Sequence, residues 1–549
     1  MPLQPIPRMG VGQGLRSAQT NLVQRVTHAA PVNGLISQRP LAAMSEQDAL
    51  QLRNFWVKPY GLELRPGYRI HQNNLNDPVN TMMAYEAKVG ADDKLFAVTF
   101  QGITDVTARQ DNPGVPARDV TFSSQIPGVT DQWSWIMFST GDENYLCAVN
   151  YTNGYWTYST STGWVQHIAG VGVGEIDGAD PLLFDYVMSW KQRLWFVNNE
   201  SNKAFYLPVG QLAGTVQEFD FGNYMRQGGT IQQLVSWTRD GGDGLDDFLV
   251  IIGSQGDVVV YQGTDPASPD TFSMVGIWDV GRVPIGRRIA LKSGGDVQVL
   301  CETGIIPLSQ IFSGNLVALA SQSSLGYNIQ TTLARKVSAN LDVDQWELHY
   351  YPQEEQFMIK EPVTINETSA RVWSASVHNH AWSQLIGLPV QTLVVFESTM
   401  YGADQDGNVY ELFIGDSDDV GFDGLPNLDL VGQIQTGFTN SDSAELKRCQ
   451  LCEPVFVGRS APGVQIQIKN EYDFAVLPGS PQFFAPNDGA MWDVDFWDQA
   501  YWSGSGNTYQ AWAGVGCLGR FHSLFLSVRG PARLLFAHWT LSFEIGGLM

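Results

Sequence analysis

Cys449-Gln450-Leu451-Cys452 is a C-x-x-C, and thiolates at that spacing can hold a soft metal or cycle as a redox pair. No second cysteine pair follows at zinc spacing, and on a regular strand these two side chains point to opposite faces, so the pair reads as core thiols. His378 and His380 share a strand face and could chelate, but no third ligand is near in sequence, and a hairpin around Trp382 accounts for them equally. Asp404-Gln405-Asp406-Gly407-Asn408, with Glu411, looks like a fragment of a calcium loop. It lacks the third acidic ligand before the glycine and the glutamate at position twelve, so a β-turn is expected, with calcium near Asp404 as the alternative. Gly514-Val515-Gly516-Cys517-Leu518-Gly519 matches the dinucleotide fingerprint, whose chemistry needs the loop to open a helix. Arg520–Leu526 alternates like a strand instead. Paired carboxylates could hydrolyse a glycoside, but there is no Asp-box repeat, G-x-S-x-G elbow, H-E-x-x-H or phosphate loop. The expectation is a protein without catalysis, cofactor or resident metal.

The elements that would position any site are strands. Of 549 residues, 44% are hydrophobic and only 16% charged, with 56 glycines and 11% aromatics. That is the composition of short strands joined by tight turns. The 56 acidic against 32 basic residues give −24, which argues against a dedicated nucleic-acid binder. No apolar run approaches the roughly 18–20 residues that span a bilayer, and no signal peptide is read at the start. Five scattered cysteines fit a reducing compartment better than a disulfide framework.

Charge is unevenly placed. Residues 1–75 carry eight basic and three acidic residues, and the first 54 hold no Phe, Tyr or Trp. This region is expected to be an arm that orders against something else, with Arg8, Arg16, Arg25 and Arg39 as docking candidates. Ser45-Glu46-Gln47-Asp48 before Ala49, Leu50 and Leu52 predicts a short capped helix over 46–53. By contrast, the 75 residues between Arg371 and Lys447 contain eleven acids and no Lys or Arg. Asp404, Asp406, Asp416, Asp418, Asp419 and Asp423 are the candidates for an acidic surface that repels a polyanion.

Between these ends, strand pairs start near 133, 186, 248, 297, 346 and 392, a spacing close to that of four-stranded propeller blades. They are Trp133–Phe138 with Tyr145–Asn150, Tyr186–Trp190 with Leu194–Asn198, and Phe248–Ile252 with Val258–Tyr261. The rest are Val297–Cys301 with Ile305–Leu308, Trp346–Tyr351 with Phe357–Ile359, and Thr392–Phe396 with Val409–Phe413. The expected fold is mainly β: an arm at 1–75, a degenerate β-propeller at 76–415, and a further β-rich platform or tip domain at 416–549.

Several stretches together resemble the tail nozzle, or tail tubular, proteins of short-tailed bacteriophages. They are Ala30–Leu35, Arg39–Ala42, Leu52-Arg53-Asn54-Phe55-Trp56 and Leu64-Arg65-Pro66-Gly67-Tyr68 at the start. Asp246–Phe248, Gly256–Pro266 and Gly294–Ser309 follow in the centre, then Trp492-Asp493, Trp497-Asp498 and Gly546-Gly547. The resemblance implies a virion structural protein, assembled in the bacterial cytoplasm into a ring of six copies below the head–tail adaptor. It further implies a conduit that DNA passes without specific binding, with tail fibres or spikes and the host surface as possible neighbours. The rival reading is a propeller-scaffold tail component that cleaves polysaccharide or binds carbohydrate.

Overall fold

The computed structural model describes residues 23–75, 77–110, 132–240, 245–312, 325–363, 369–441, 443–475, 480–482 and 507–546. Strands dominate, and the longest described helix is Gln330–Ala339. Among the described residues, no helix is long and apolar enough to cross a membrane.

A β-propeller is built from Tyr68–Gln72 and the strands between Thr81 and Leu428. Each of the six expected hairpins falls inside one of the sheets, and the turn glycines Gly154, Gly256 and Gly407 take the expected positive φ of 79°, 101° and 79°. One pairing differs. Thr392–Phe396 does not pair with Val409–Leu412, because Thr399–Ala403 lies between them. A further sheet, Thr81–Asp105, fills the gap between the first and last of the six. The first strands of successive sheets, Ser134–Ser139, Phe184–Trp190, Ile231–Asp240, Ala290–Ser293, Glu347–Tyr351, Thr392–Phe396 and Thr81–Tyr85, lie side by side around the axis. Trp133 closes the circle by donating its backbone N–H to Thr81 Oγ1 at 3.0 Å.

The apolar runs follow from this stacking. In Asp257–Gly263, Val258 and Val260 enter the core shared with the sheet on one side, while Val259 and Tyr261 enter the core on the other. Leu146 and Ala148 are likewise separated from Cys147 and Val149. A strand sandwiched between blades buries both faces, so its alternation is between two cores rather than between core and water. Each such Val or Leu contributes about 1.5–3 kcal/mol.

A β-sandwich adjoins the propeller and grows out of it. The blade Glu347–Leu388 continues through Ala49–Arg53, Val431–Thr436, His522–Arg529, Gly463–Asn470 and Ser480–Gln482 into one nine-stranded sheet. Facing it are Phe55–Lys58, Gly61–Leu64, Leu535–Ile545, Lys447–Gly458 and Asn507–Gln510, with Gln24–Ala29 and Ala513–Gly519 alongside. Leu52, Phe55, Ile434, Phe456, Leu526, Phe536 and Trp539 fill the space between.

Three expectations need correction here. The described part of the arm orders against its own chain: Gln24–Ala29 pairs with Leu535–Ile545, and Tyr68–Gln72 joins the blade beside Val409–Leu412. The aromatics it lacks come from the partner strand, as where His28 stacks on Trp539 at 4.4 Å. The predicted helix over 46–53 is instead a turn followed by the strand Ala49–Arg53. The capping interaction does form, Ser45 N–H donating to Asp48 at 2.7 Å, but pairing with Val431–Thr436 wins over helix propensity. The acidic strands Asp418–Val420 and Pro426–Leu428 extend the last blade, so the propeller runs past 415 to about 428.

Candidate functional site

The inner strands of the propeller line an open pocket of about 450 Å³, the size of a small-molecule site. Its walls are largely apolar, from Ile136, Met137, Leu291, Leu348, Val394 and Val395. Polar groups converge at one side: Arg287, Arg288, His349, Tyr186 and Gln233. Gln233 is fully used as a brace. Its Oε1 accepts from the Ile289 and Ala290 N–H groups at 2.9 Å, and its Nε2 donates to Tyr186 Oη at 3.1 Å and Ala290 O at 3.2 Å.

Two adjacent arginines project from the loop before Ala290. Arg287 pairs with Asp185 at 2.6 Å. The Arg288 guanidinium lies 4.6 Å from the Trp135 ring centroid, a cation–π distance. Behind them, Glu347 accepts from His349 Nε2 at 2.8 Å, Thr392 Oγ1 at 3.1 Å and Leu393 N–H at 3.2 Å. Lys360 is fully buried, and its ammonium donates to Gln391 O. Burial alone would raise Glu347, but Lys360, His349 and Arg288 outweigh it and bring the carboxyl down to about 2. Burial lowers His349 against the pull of Glu347. Asp344 goes the other way, raised chiefly by burial against the pull of Arg287. Asp344 and Glu347 share a cavity of only about 30 Å³, room for a water and not a sugar.

The predicted acidic residues do not form one surface. Asp404 is buried and organises its own turn, accepting from Asp406 N–H, Asn408 N–H, Asn408 Nδ2 and Tyr410 Oη at 2.8–2.9 Å. Asp418 is buried in a bidentate pair with Arg65 at 2.8 Å. Neither presents a carboxylate to a channel, which corrects that part of the expectation: local backbone donors and a buried cation claim them first. Asp406, Asp416 and Asp423 are exposed and Asp419 is partly so. Asp419 and Asp423 sit on or beside the outermost strands of the last blade, away from the propeller axis. Glu411, the other acid of the calcium-like fragment, is held by Arg69 and His71.

Among the basic candidates, Arg8 and Arg16 lie outside the described residues. Arg25 stacks over Trp512 at 5.2 Å, and Arg39 pairs with buried Asp48 at 2.8 Å, so both engage their own chain. His378 and His380 lie in the turn before Trp382 rather than on a strand. His378 bonds Glu355, and His380 adopts φ 53°. The Trp492 and Trp497 motifs lie outside the described residues. Cys449 and Cys452 are both buried, contrary to strand alternation, because a register shift between Cys449 and Leu451 inserts a residue and restores the face.

No family model matches this sequence, and no curated protein does. Among solved structures, the computationally designed Ika8 protein aligns at TM-score 0.33 and 8% identity, covering 63% of this chain and 99% of its own. A Bacteroides fragilis protein provisionally named a 6-phosphogluconolactonase aligns at TM-score 0.30 and 12% identity, covering 66% and 92%. Likenesses at this level add nothing to what the sheets themselves show.

Proposed function

We propose that this chain is a virion structural protein: a wall segment of the tail nozzle of a short-tailed bacteriophage, assembled in the host cytoplasm as a homo-oligomeric ring below the head–tail adaptor. The observation that carries the reading is the seam between propeller and sandwich. The two resemblance-bearing stretches Leu52–Trp56 and Leu64–Tyr68 lie there, and Arg53 pairs with Gln384 across the junction. A shared sheet makes the two parts one stiff body, which suits a subunit that carries load between an adaptor above and fibres or spikes beside it. The chain is read as non-enzymatic, with DNA passing along the ring without specific contacts. The pocket at the propeller's inner strands, about 450 Å³, has the size for a small molecule rather than a duplex. In this reading the conduit runs between copies, with outer-edge acids such as Asp419 and Asp423 facing it.

The test is charge reversal. Asp406, Asp416, Asp419 and Asp423 changed together to Lys should slow genome ejection by about tenfold or more at low salt, because new phosphate contacts form in every copy. Added salt should relieve the effect. Unchanged ejection would remove these residues from the conduit.

One observation favours the second reading, a carbohydrate-binding or polysaccharide-cleaving tail component. Arg288 over Trp135 offers a cation and an aromatic face to one small pocket. The fully ionised Glu347 beside it is held by three donors and is ill suited to act as a general acid.

A further inference from the structure

The sandwich brings together three soft ligands that lie far apart in sequence. Cys449 is on Lys447–Gly458, and Cys517 stands directly opposite it on Ala513–Gly519. His522 opens His522–Arg529, which belongs to the facing sheet. The ligand atoms of all three lie within 4.8 Å of one another. His522 Nδ1 is 3.5 Å from Cys449 Sγ and 3.8 Å from Cys517 Sγ.

These separations have a chemical meaning. Zinc binds thiolate sulfur at about 2.3 Å and imidazole nitrogen at about 2.0–2.1 Å in tetrahedral geometry. The sulfur–nitrogen edge of that tetrahedron is then about 3.6 Å. The two Nδ1–sulfur separations bracket this length, and because Cys449 Sγ is also 3.7 Å from His522 Nε2, metal binding turns the imidazole so that Nδ1 aims between the sulfurs. Two thiolates also cancel the charge of a divalent ion, so burying the site leaves no net charge to solvate.

The surroundings fit a built site. Cys449 and His522 are buried, whereas Cys517 is partly exposed and gives access from solvent. The His522 backbone is fixed by two hydrogen bonds with Thr439, at 2.8 and 2.9 Å, so its ring is held at this corner.

We propose that Cys449, Cys517 and His522 bind one thiolate-preferring divalent metal ion, with zinc as the fitting ion and solvent in the fourth position. The metal clamps the two sheets of the sandwich at one corner, and binding releases the two thiol protons to solvent. A Cys449–Cys517 disulfide would be the competing use of the same thiols, but it leaves the imidazole between them without a role.

The full chain, reduced and stripped of metal with a chelator, is titrated with Co²⁺ as a spectroscopic probe. One equivalent should produce thiolate-to-cobalt charge-transfer absorption and tetrahedral d–d bands. Zn²⁺ should bleach these and raise the thermal midpoint. Cys517→Ser, at the partly exposed ligand, should keep the strand circular dichroism and weaken metal binding by more than about 100-fold, beyond what loss of an outer partner costs. If that variant fails to fold, the titration of the unmodified chain decides alone. A wild-type chain without the thiolate–cobalt band, or a band undiminished in folded Cys517→Ser, would overturn the site.

Discussion

Asp418→Ala is expected to destabilise the protein by about 3–5 kcal/mol, because it strands a buried guanidinium. Arg65 is fully buried, and its five N–H donors meet five acceptors. Nε donates to Asn54 Oδ1 at 3.2 Å, and one terminal nitrogen to Pro66 O at 2.9 Å and Asp418 Oδ1 at 2.8 Å. The other terminal nitrogen donates to Ile386 O at 3.4 Å and Asp418 Oδ2 at 2.8 Å. Asn54 carries the knot onward, accepting from Ile386 N–H at 2.9 Å and donating to Val431 O at 2.8 Å. This network crosses the seam, so the loss should appear as a lower urea midpoint for the whole body. Replacing both charges, as in Arg65→Met with Asp418→Leu, should cost much less than the single change, since no charge is left unpaired. Equal costs for the single and double variants would show that the pair is not the seam's anchor.

The second large effect is on acid stability. Glu347 is depressed in the fold from 4.5 to about 2, so the unfolded chain binds its proton first as pH falls. Its contribution is present above about pH 4.5 and is lost as pH drops toward 2. A shift of this size corresponds to roughly 3 kcal/mol. His349, depressed by burial, acts in the same direction from about pH 6.5 downward, because the unfolded imidazole protonates first. Glu347→Gln should therefore be less stable than the unmodified chain by roughly 3 kcal/mol at pH 7, and the difference should shrink as urea curves are repeated between pH 5 and pH 3. A gap that does not change with pH would mean that Glu347 is not held ionised by Lys360, His349 and Arg288.

The blades were legible because their signals are local. Asn153-Gly154 and Asp406-Gly407 announce turns, and runs such as Val258–Tyr261 have strand length. Long-range pairing was not legible. Ala49–Arg53 resembles a helix start on its own, and only Val431–Thr436, nearly four hundred residues later, makes it a strand. The same limit applied to charge. Asp404 and Asp418 stood out as members of an acid-rich stretch, yet one caps its own turn and the other answers an arginine 353 residues away. The polar cluster at the axis matches no motif, yet it leaves a signal: Glu347, His349 and Lys360 interrupt largely apolar strands, where an ionisable side chain needs a partner. Sequence spacing pairs Cys449 with its neighbour Cys452, whereas folding sets it beside Cys517 and His522.

The claim that this chain builds a ring is tested most directly by the mass and shape of the purified full-length protein, measured by native mass spectrometry and negative-stain microscopy. The account predicts closed rings of identical copies, at six times the 60.6 kDa chain mass, around an opening wide enough for duplex DNA. A population of 60.6 kDa monomers, with no rings in the micrographs, would contradict it.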